Sequence, residues 1–288
     1  MSDTEVFHRD ASTRFREDLW QQVDSSGDPH AVLVLHAGRV VQSSTGELLW
    51  ERESAPEGER VYLGRLEMAD GIRAIEARFI DSTELESRHP RSLVGELGVG
   101  LHEALLTAVA LANWRGSHRY CPRCATALEP RQAGWMLACP QCHAQQWPRT
   151  DPAIIVRVED DADRILLGSN IAWEPNRFSL LAGFVEPGES LERAVQREIL
   201  EESGVRVSAP RYLASQGWPF PMSLMLGFSA RAESTELTPD GEEIRELRWF
   251  TRAELSGPDI QLPRRGSVAR ALIEDWAGGP IEERHAGF

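Results

Sequence analysis

Between Gly183 and Val205 the chain reads GFVEPGESLERAVQREILEESGV, a run that carries its own turn, helix start, helix and stop. Pro187-Gly188 supplies the turn. Ser190 is a natural N-cap, and Glu192 falls in the first helical turn, where the helix dipole favours negative charge. Gly204 stands where a left-handed C-cap is expected. These signals predict a helix over 190–203. At about 100° per residue, Glu198 and Glu202 stand roughly 40° apart, and Glu201 lies within about 100° of both. Leu191, Ala194 and Val195 share their sector. The carboxylates therefore extend the stripe that faces the core, where unpaired negative charge costs several kcal/mol. Divalent cations with oxygen ligands remove that cost and make a clamp for a pyrophosphate. A merely solvated acidic face would scatter its glutamates away from the apolar residues.

The second strong signal is a cysteine cluster. All four cysteines fall in Cys121-Pro-Arg-Cys124 and Cys139-Pro-Gln-Cys142, two pairs separated by 14 residues. Two C-x2-C pairs offer four thiolates, a closed tetrahedral shell for one structural Zn2+. The gap is slightly shorter than the usual zinc pattern, a difference one hairpin absorbs. Disulfides are the alternative, and an intracellular setting disfavours them. His118 and His143 flank the pairs, but four sulfurs already complete the shell.

The rest of the chain sets bounds. Its 288 residues suit two domains, or two and a small module. No apolar run approaches a membrane span, and MSDTEVFHRD lacks the basic start and apolar stretch of a secretory signal, so a soluble cytoplasmic protein without a membrane partner is expected. The 45 acidic residues outnumber 31 basic ones, all arginine, for a net charge of −14. That balance argues against general duplex binding but leaves room for phosphate ligands handled through metals. Residues 1–115 read as an N-terminal α/β domain with several short strands and a helix over 92–114; scattered histidines form no catalytic constellation. The cysteine module occupies 116–150. From 151 to 288 strands are expected at 153–158, 165–167, 179–181, 206–215, 223–230 and 244–250, with helices at 190–203 and 267–276. The overall expectation is an α+β chain.

The run from Gly183 to Val205 resembles the Nudix box with every defining position filled: Gly183, Glu189, Arg197-Glu198-Ile199, Glu201-Glu202 and Gly204-Val205. Shortly after it, Ser215-Gln-Gly-Trp-Pro-Phe-Pro-Met-Ser223 resembles the SQPWPFPxS array of the NADH pyrophosphatase subfamily, whose members also carry a four-cysteine zinc segment before the Nudix domain. The helix leading into the cysteines, ALANWRGSHRYCPRC, is similar too, so the resemblance covers essentially the whole chain. It implies a C-terminal Nudix α/β/α sandwich with a mixed sheet over 151–288, after a zinc ribbon and the N-terminal domain.

The resemblance further implies metal-dependent hydrolysis of NAD(H) to AMP and NMN(H), and removal of NAD caps from RNA 5′ ends. Carried over residue by residue, the Mg2+ or Mn2+ ligands are Glu198, Glu201, Glu202 and Glu243, with the Ala182 carbonyl. Glu242-Glu243 also reads as a solvated turn. Glu189 and Arg197 are expected to pair as ions that brace the loop and helix, as structural support and not as ligands. Dinucleotide contacts fall on Gln216, Gly217, Trp218, Pro219, Phe220, Pro221, Met222 and Ser223, and on Ala269. In the array, Trp218 and Phe220 offer flat surfaces for bases or, alternatively, pack in a core. Gln216 and Ser223 are suited to hydrogen-bond ribose or phosphate. Phe184 matches an aromatic that stacks on a base; its usual tyrosine partner is replaced by Trp147. Family members are homodimers whose sites can include residues of both chains, so Trp147 is a candidate for the neighbour's site. Arg119, Arg123, Arg131 and Arg149 are candidates to guide RNA.

Two departures stand out. Gly217 replaces a proline of the array, which implies looser dinucleotide binding with chemistry intact. Ala125 replaces a frequent glycine after the second cysteine, with little consequence expected. Competing readings are a Nudix hydrolase preferring ADP-ribose or another dinucleotide, and a non-catalytic nucleotide sensor or nucleic-acid adaptor. The complete carboxylate set disfavours the sensor.

Overall fold

In the computed structural model, which describes residues 5–25, 29–257 and 259–282, the chain divides into two compact units. The first comprises Met1–Arg149 together with Pro219–Met222; the second comprises Thr150–Trp218 and Ser223–Phe288.

The first unit is built on strands β1 (Val6–His8), β2 (His30–His36), β3 (Arg39–Val41), β4 (Leu49–Glu51), β5 (Glu59–Met68), β6 (Gly71–Phe79) and β7 (Ser87–Arg88). They pair in the order β1-β5-β6-β2-β3-β7, with β4 also on β2; only β2 and β6 run parallel. Period-two alternation sorts β2 between two cores. Leu33 and Leu35 face helix α2 (Val99–Ser117), which contributes Ala104, Leu105, Ala108, Leu111 and Trp114 to the same cluster. Val32 and Val34 face Val41 and Trp50 on the other side. A short helix, α1 (Leu19–Ser25), completes the α-helices of this unit among the described residues.

One charged group is fully buried here. Glu76 of β6 accepts from Arg60 at 2.6 Å and Arg78 at 2.6 Å, with His30 at 3.2 Å. Burial alone would raise its pKa, but the neighbouring His30 and the bonds from Arg60 and Arg78 outweigh that and hold it at about 2.

The expected helix over 92–114 starts later, at Val99. Pro90 opens a separate short 3-10 turn, Pro90–Leu93, capped by His89, and Gly95 then takes a left-handed φ of +82°. Apolar spacing runs through both turns; the backbone does not.

The cysteine module adds a three-stranded antiparallel sheet of β8 (Glu129–Arg131), β9 (Met136–Ala138) and β10 (Gln145–Gln146). Leu137 lies in the apolar cluster of the first unit, and Leu128 and Trp135 pack against it.

The second unit holds β11 (Asp151–Glu159), β12 (Ile165–Asn170), β13 (Leu181–Phe184), β14 (Val207–Trp218), β15 (Ser223–Ala232) and β16 (Ile244–Phe250). Their order is β14-β15-β11-β12-β16, with β13 also on β11. β11 and β15 run parallel and the other pairs antiparallel, so the sheet is mixed. Successive residues of β11 serve opposite cores. Ile154, Val156 and Val158 meet Ala194, Val195 and Ile199 of α3 (Leu191–Ser203), whereas Ile155 meets Val268, Leu272 and Ile273 of α4 (Val268–Ala277). One helix on each face of a mixed sheet is the expected α/β/α sandwich.

Candidate active site

Helix α3 is fixed at both ends by the residues its sequence nominates. Ser190 Oγ accepts from the Arg193 N–H at 3.3 Å, and Gly204 caps the end with φ of +72°. The ion pair between Glu189 and Arg197 is present and bidentate: Nε donates to Oε1 at 2.9 Å and Nη2 to Oε2 at 2.8 Å. The same guanidinium donates to the Phe184 carbonyl at 2.9 Å and to Glu201 at 3.0 Å, and lies 2.9 Å from Glu198. Arg197 thus ties strand β13, the turn and the helix together, while Glu189 is held down to about 2 by that arginine.

The carboxylates differ sharply in surroundings. Glu202 is buried at 7% exposure, and its Oε2 has no hydrogen-bond partner. Burial, then the charges of Glu198, Glu243 and Asp240, push it up to about 8, against one bond from the Ala182 backbone. Glu198 is raised too, by burial first, with Arg197 opposing. Its carboxylate lies against the Gly183 backbone: a Cβ there would stand 2.0 Å from the Glu198 carboxyl carbon. Glycine at 183 is therefore a requirement of the glutamate across from it. Glu201 and Glu243 are exposed, at the rim. The glutamates do not close to a tight set. Among the described residues, only the cysteines form a group of three or more donor atoms all within 4.8 Å.

An orphaned buried carboxylate oxygen, a second carboxylate seated in a glycine cradle and two more at the rim suit an oxygen-liganded divalent cation. They suit little else, because like charges at this depth repel. Ala182 lies on β13 opposite Ile155, next to the glutamates through its backbone.

The expected substrate contacts are placed as follows. Phe184 is 57% exposed and Trp147 50% exposed, both available as stacking surfaces. Gln216, Gly217 and Trp218 end strand β14, an edge of the sheet, and Ser223 begins β15. The Gln216 amide is already engaged: Nε2 donates to the Gly266 carbonyl at 2.7 Å and Oε1 accepts from the Val268 N–H at 2.8 Å. It braces the start of α4, where Ala269 is buried in the apolar core. Pro219, Phe220, Pro221 and Met222 belong to the first unit. There Phe220 and Met222 pack against the apolar cluster, the Phe220 ring lies 5.8 Å from His89, and Asn113 donates to the Pro219 carbonyl at 2.8 Å. For Phe220 the core-packing alternative describes its surroundings.

Two residues that contact the candidate site residues escape the sequence reading: Asn113, which donates to the Pro219 carbonyl, and Asp240 beside the glutamates. Asn113 has no signal of its own. Asp240, which accepts backbone N–H bonds from Glu242, Glu243 and Ile244, does: Asp-Gly preceding a strand marks a turn built on the Asp side chain.

In the cysteine module the thiols are free, with sulfur separations of 3.4–3.6 Å for three pairs. A tetrahedral zinc with bonds near 2.3 Å requires about 3.8 Å, so the set fits one ion. Both knuckles turn through left-handed residues, Ala125 at φ +59° and His143 at +57°. The expectation of little consequence at Ala125 needs correction, since a Cβ in that region is strained by about 1–2 kcal/mol.

Comparison with known proteins gives two family matches: the NUDIX domain over residues 148–274 and the NADH pyrophosphatase zinc ribbon domain over 117–146. A protein of Mycobacterium bovis (strain BCG / Pasteur 1173P2), named NAD-capped RNA hydrolase NudC, is 37% identical over 93% of this chain and 92% of its own. One of the same name from Escherichia coli O1:K1 / APEC is 40% identical over 67% of this chain and 74% of its own. Among solved structures, a NUDIX hydrolase from Nitrosomonas europaea matches at 26% identity and a TM-score of 0.45, over 59% of this chain and 97% of that one. The four-cysteine segment therefore lies within a recognised zinc ribbon.

Proposed function

The chain belongs to the Nudix hydrolase family, and from that membership we propose that it hydrolyses the pyrophosphate bond of NAD(H) to AMP and NMN(H) and removes NAD caps from RNA 5′ ends. The observation that carries the reading is the buried Glu202 carboxylate, without a partner on Oε2 and surrounded by Glu198 and Glu243. The NAD-capped RNA hydrolases to which the chain is similar, and the NADH pyrophosphatase type of its ribbon, support the choice of substrate.

Glu198, Glu201, Glu202, Glu243 and the Ala182 carbonyl are the proposed ligands of Mg2+ or Mn2+. When bound, such cations neutralise the glutamates, polarise the diphosphate oxygens and acidify a water. The chain's own contribution is rigidity. Arg197 fixes the helix against the turn, Gly183 lets Glu198 seat against β13, and burial keeps bulk water from Glu202. Phe184 and Trp147 are the proposed base-stacking residues, and Gln216–Ser223 and Ala269 the proposed dinucleotide contacts. Because Gln216 is engaged with Gly266 and Val268, its part is to hold the end of β14 to the start of α4. We further propose a cytoplasmic homodimer in which Trp147 serves the neighbouring site.

The test is product identification. Purified protein with NADH and Mg2+ or Mn2+ is expected to yield AMP and the reduced mononucleotide by mass, and Glu202→Gln to abolish turnover. Faster cleavage of ADP-ribose than of NAD(H), NAD+ or capped RNA would reassign the substrate.

A further inference from the structure

Glu243 lies outside the α3 helix that carries the other glutamates, so something else must aim it. Its backbone is tied on both sides. On one side Asp240 Oδ1 accepts the N–H of Glu242 and of Glu243 at 3.2 Å each, and that of Ile244 at 2.9 Å; Oδ2 lies 3.3 Å from the Glu243 N–H. On the other, the Glu243 carbonyl accepts the Ile171 N–H at 2.8 Å. The segment on either side of Ile171 is itself pinned, because Arg245 donates to Ser169 Oγ at 2.9 Å and the Trp173 carbonyl at 3.0 Å. At this point the β12–β16 ladder slips: Ser169 pairs with Glu246 but Asn170 pairs with Ile244, leaving Arg245 as the extra residue of a bulge. Bulges bend a strand and re-aim neighbouring side chains, and they recur beside active sites.

We propose that Asp240 is a positioning residue: by gathering three successive backbone N–H groups, it holds Glu243 at the angle a shared divalent cation needs, with the Arg245 bulge as its opposite anchor. The proposal rests on the reading of Glu243 as a ligand. Asp240 acts through geometry, and Asn can accept the same bonds through its side-chain oxygen. A direct ligand would instead need the negative charge.

Mn2+ binding to the full-length protein, followed by electron paramagnetic resonance without substrate, separates these cases. Glu243→Gln and Asp240→Ala are each expected to weaken Mn2+ binding by about 10-fold, the scale on which loss of a ligand's support acts. Asp240→Asn is expected to stay within about 2-fold of wild type by the same comparison. Under saturating Mn2+, Asp240→Ala should lower kcat for NADH while leaving KM within about 2-fold, as expected when ground-state binding is untouched. If Asp240→Ala does not fold, Arg245→Gln loosens the other anchor and should weaken Mn2+ in the same direction. Wild-type Mn2+ affinity in Asp240→Ala, or in Arg245→Gln where that variant stands in, overturns the proposal while leaving a damaged Glu243→Gln as support for the ligand. An Asp240→Asn as impaired as Asp240→Ala also overturns it, in favour of charge. An unaffected Glu243→Gln removes its premise.

Discussion

Two residues carry opposite messages about the glutamate site. Gly183 is needed for space: any side chain would occupy the place of the Glu198 carboxylate. Gly183→Ala is therefore expected to leave the strand formed but reduce turnover by about 100-fold, the scale of a 1 Å misplacement, read as kcat with Mn2+. Glu202, in contrast, is a strained acid. Its ordinary value of 4.5 rises to about 8 in the folded chain. Below 4.5 both folded and unfolded chains hold the proton and there is no penalty. As pH rises through this window the unfolded chain releases it first, so the metal-free fold loses stability up to about pH 8. Melting of the metal-free protein should show a midpoint that falls between pH 5 and 8. Glu202→Gln should flatten that fall, and added Mn2+ should raise the midpoint of wild type far more than that of the variant. A variant that falls as steeply as wild type would exclude the assignment.

At the level of elements, legibility followed locality. Helix α3 is announced by Ser190 and Gly204, and both caps are where the sequence puts them. Ser190→Ala should cost about 1 kcal/mol in chemical denaturation. Strand β1, helix α1 and strand β7 carry no such signal, since three-residue pairings such as Val6–His8 on β5 depend on a distant partner. Strand β14 runs to Trp218 and takes in Gln216–Trp218, which the sequence reading ended at 215. Within the site, the glutamate face was legible because helical periodicity is local. The engagement of Gln216 with α4 was not, nor, though core packing of Phe220 was one of the alternatives, was the cluster it packs against, because each depends on a chain segment far away. Gly217 is the instructive case. It sits in the edge strand paired with Leu224, its φ is not left-handed, and no atom lies within 4 Å of where a Cβ would go. Nothing there demands glycine. Gly217→Ala should thus be tolerated, and Gly217→Pro, provided that β14 stays paired, should by restricting the free chain lower KM for NADH a few-fold with kcat unchanged. Unchanged KM for NADH and competing nucleotides would refute the idea that this glycine loosens binding.

For the whole molecule, the two metals stand in different relations to folding. The glutamate site is held by Arg197 and the two helix caps, so its scaffold does not depend on an ion. The cysteine module is the reverse. Its strands are two or three residues long, and its small apolar cluster consists of the four cysteines with Ala144 and Leu128. So small a core does not offset chain entropy alone, and structural zinc supplies that free energy instead. The consequence reaches beyond the ribbon within the first unit. Trp135 Nε1 donates to the Tyr62 carbonyl of β5, its ring lies 3.4 Å from the Arg14 guanidinium carbon, and a Cβ at Gly134 would press on Val61. A mild chelator that strips a divalent cation from the glutamates should therefore stop turnover without altering hydrogen exchange in residues 121–144. A chelator strong enough to remove zinc, or Cys139→Ser, should release protection both there and along β5, with α3 and β11 still protected. The purified chain should carry one zinc. Full protection of β5 in a zinc-free protein would mean that the ribbon folds on its residual packing, and that the four sulfurs are dispensable to the first unit.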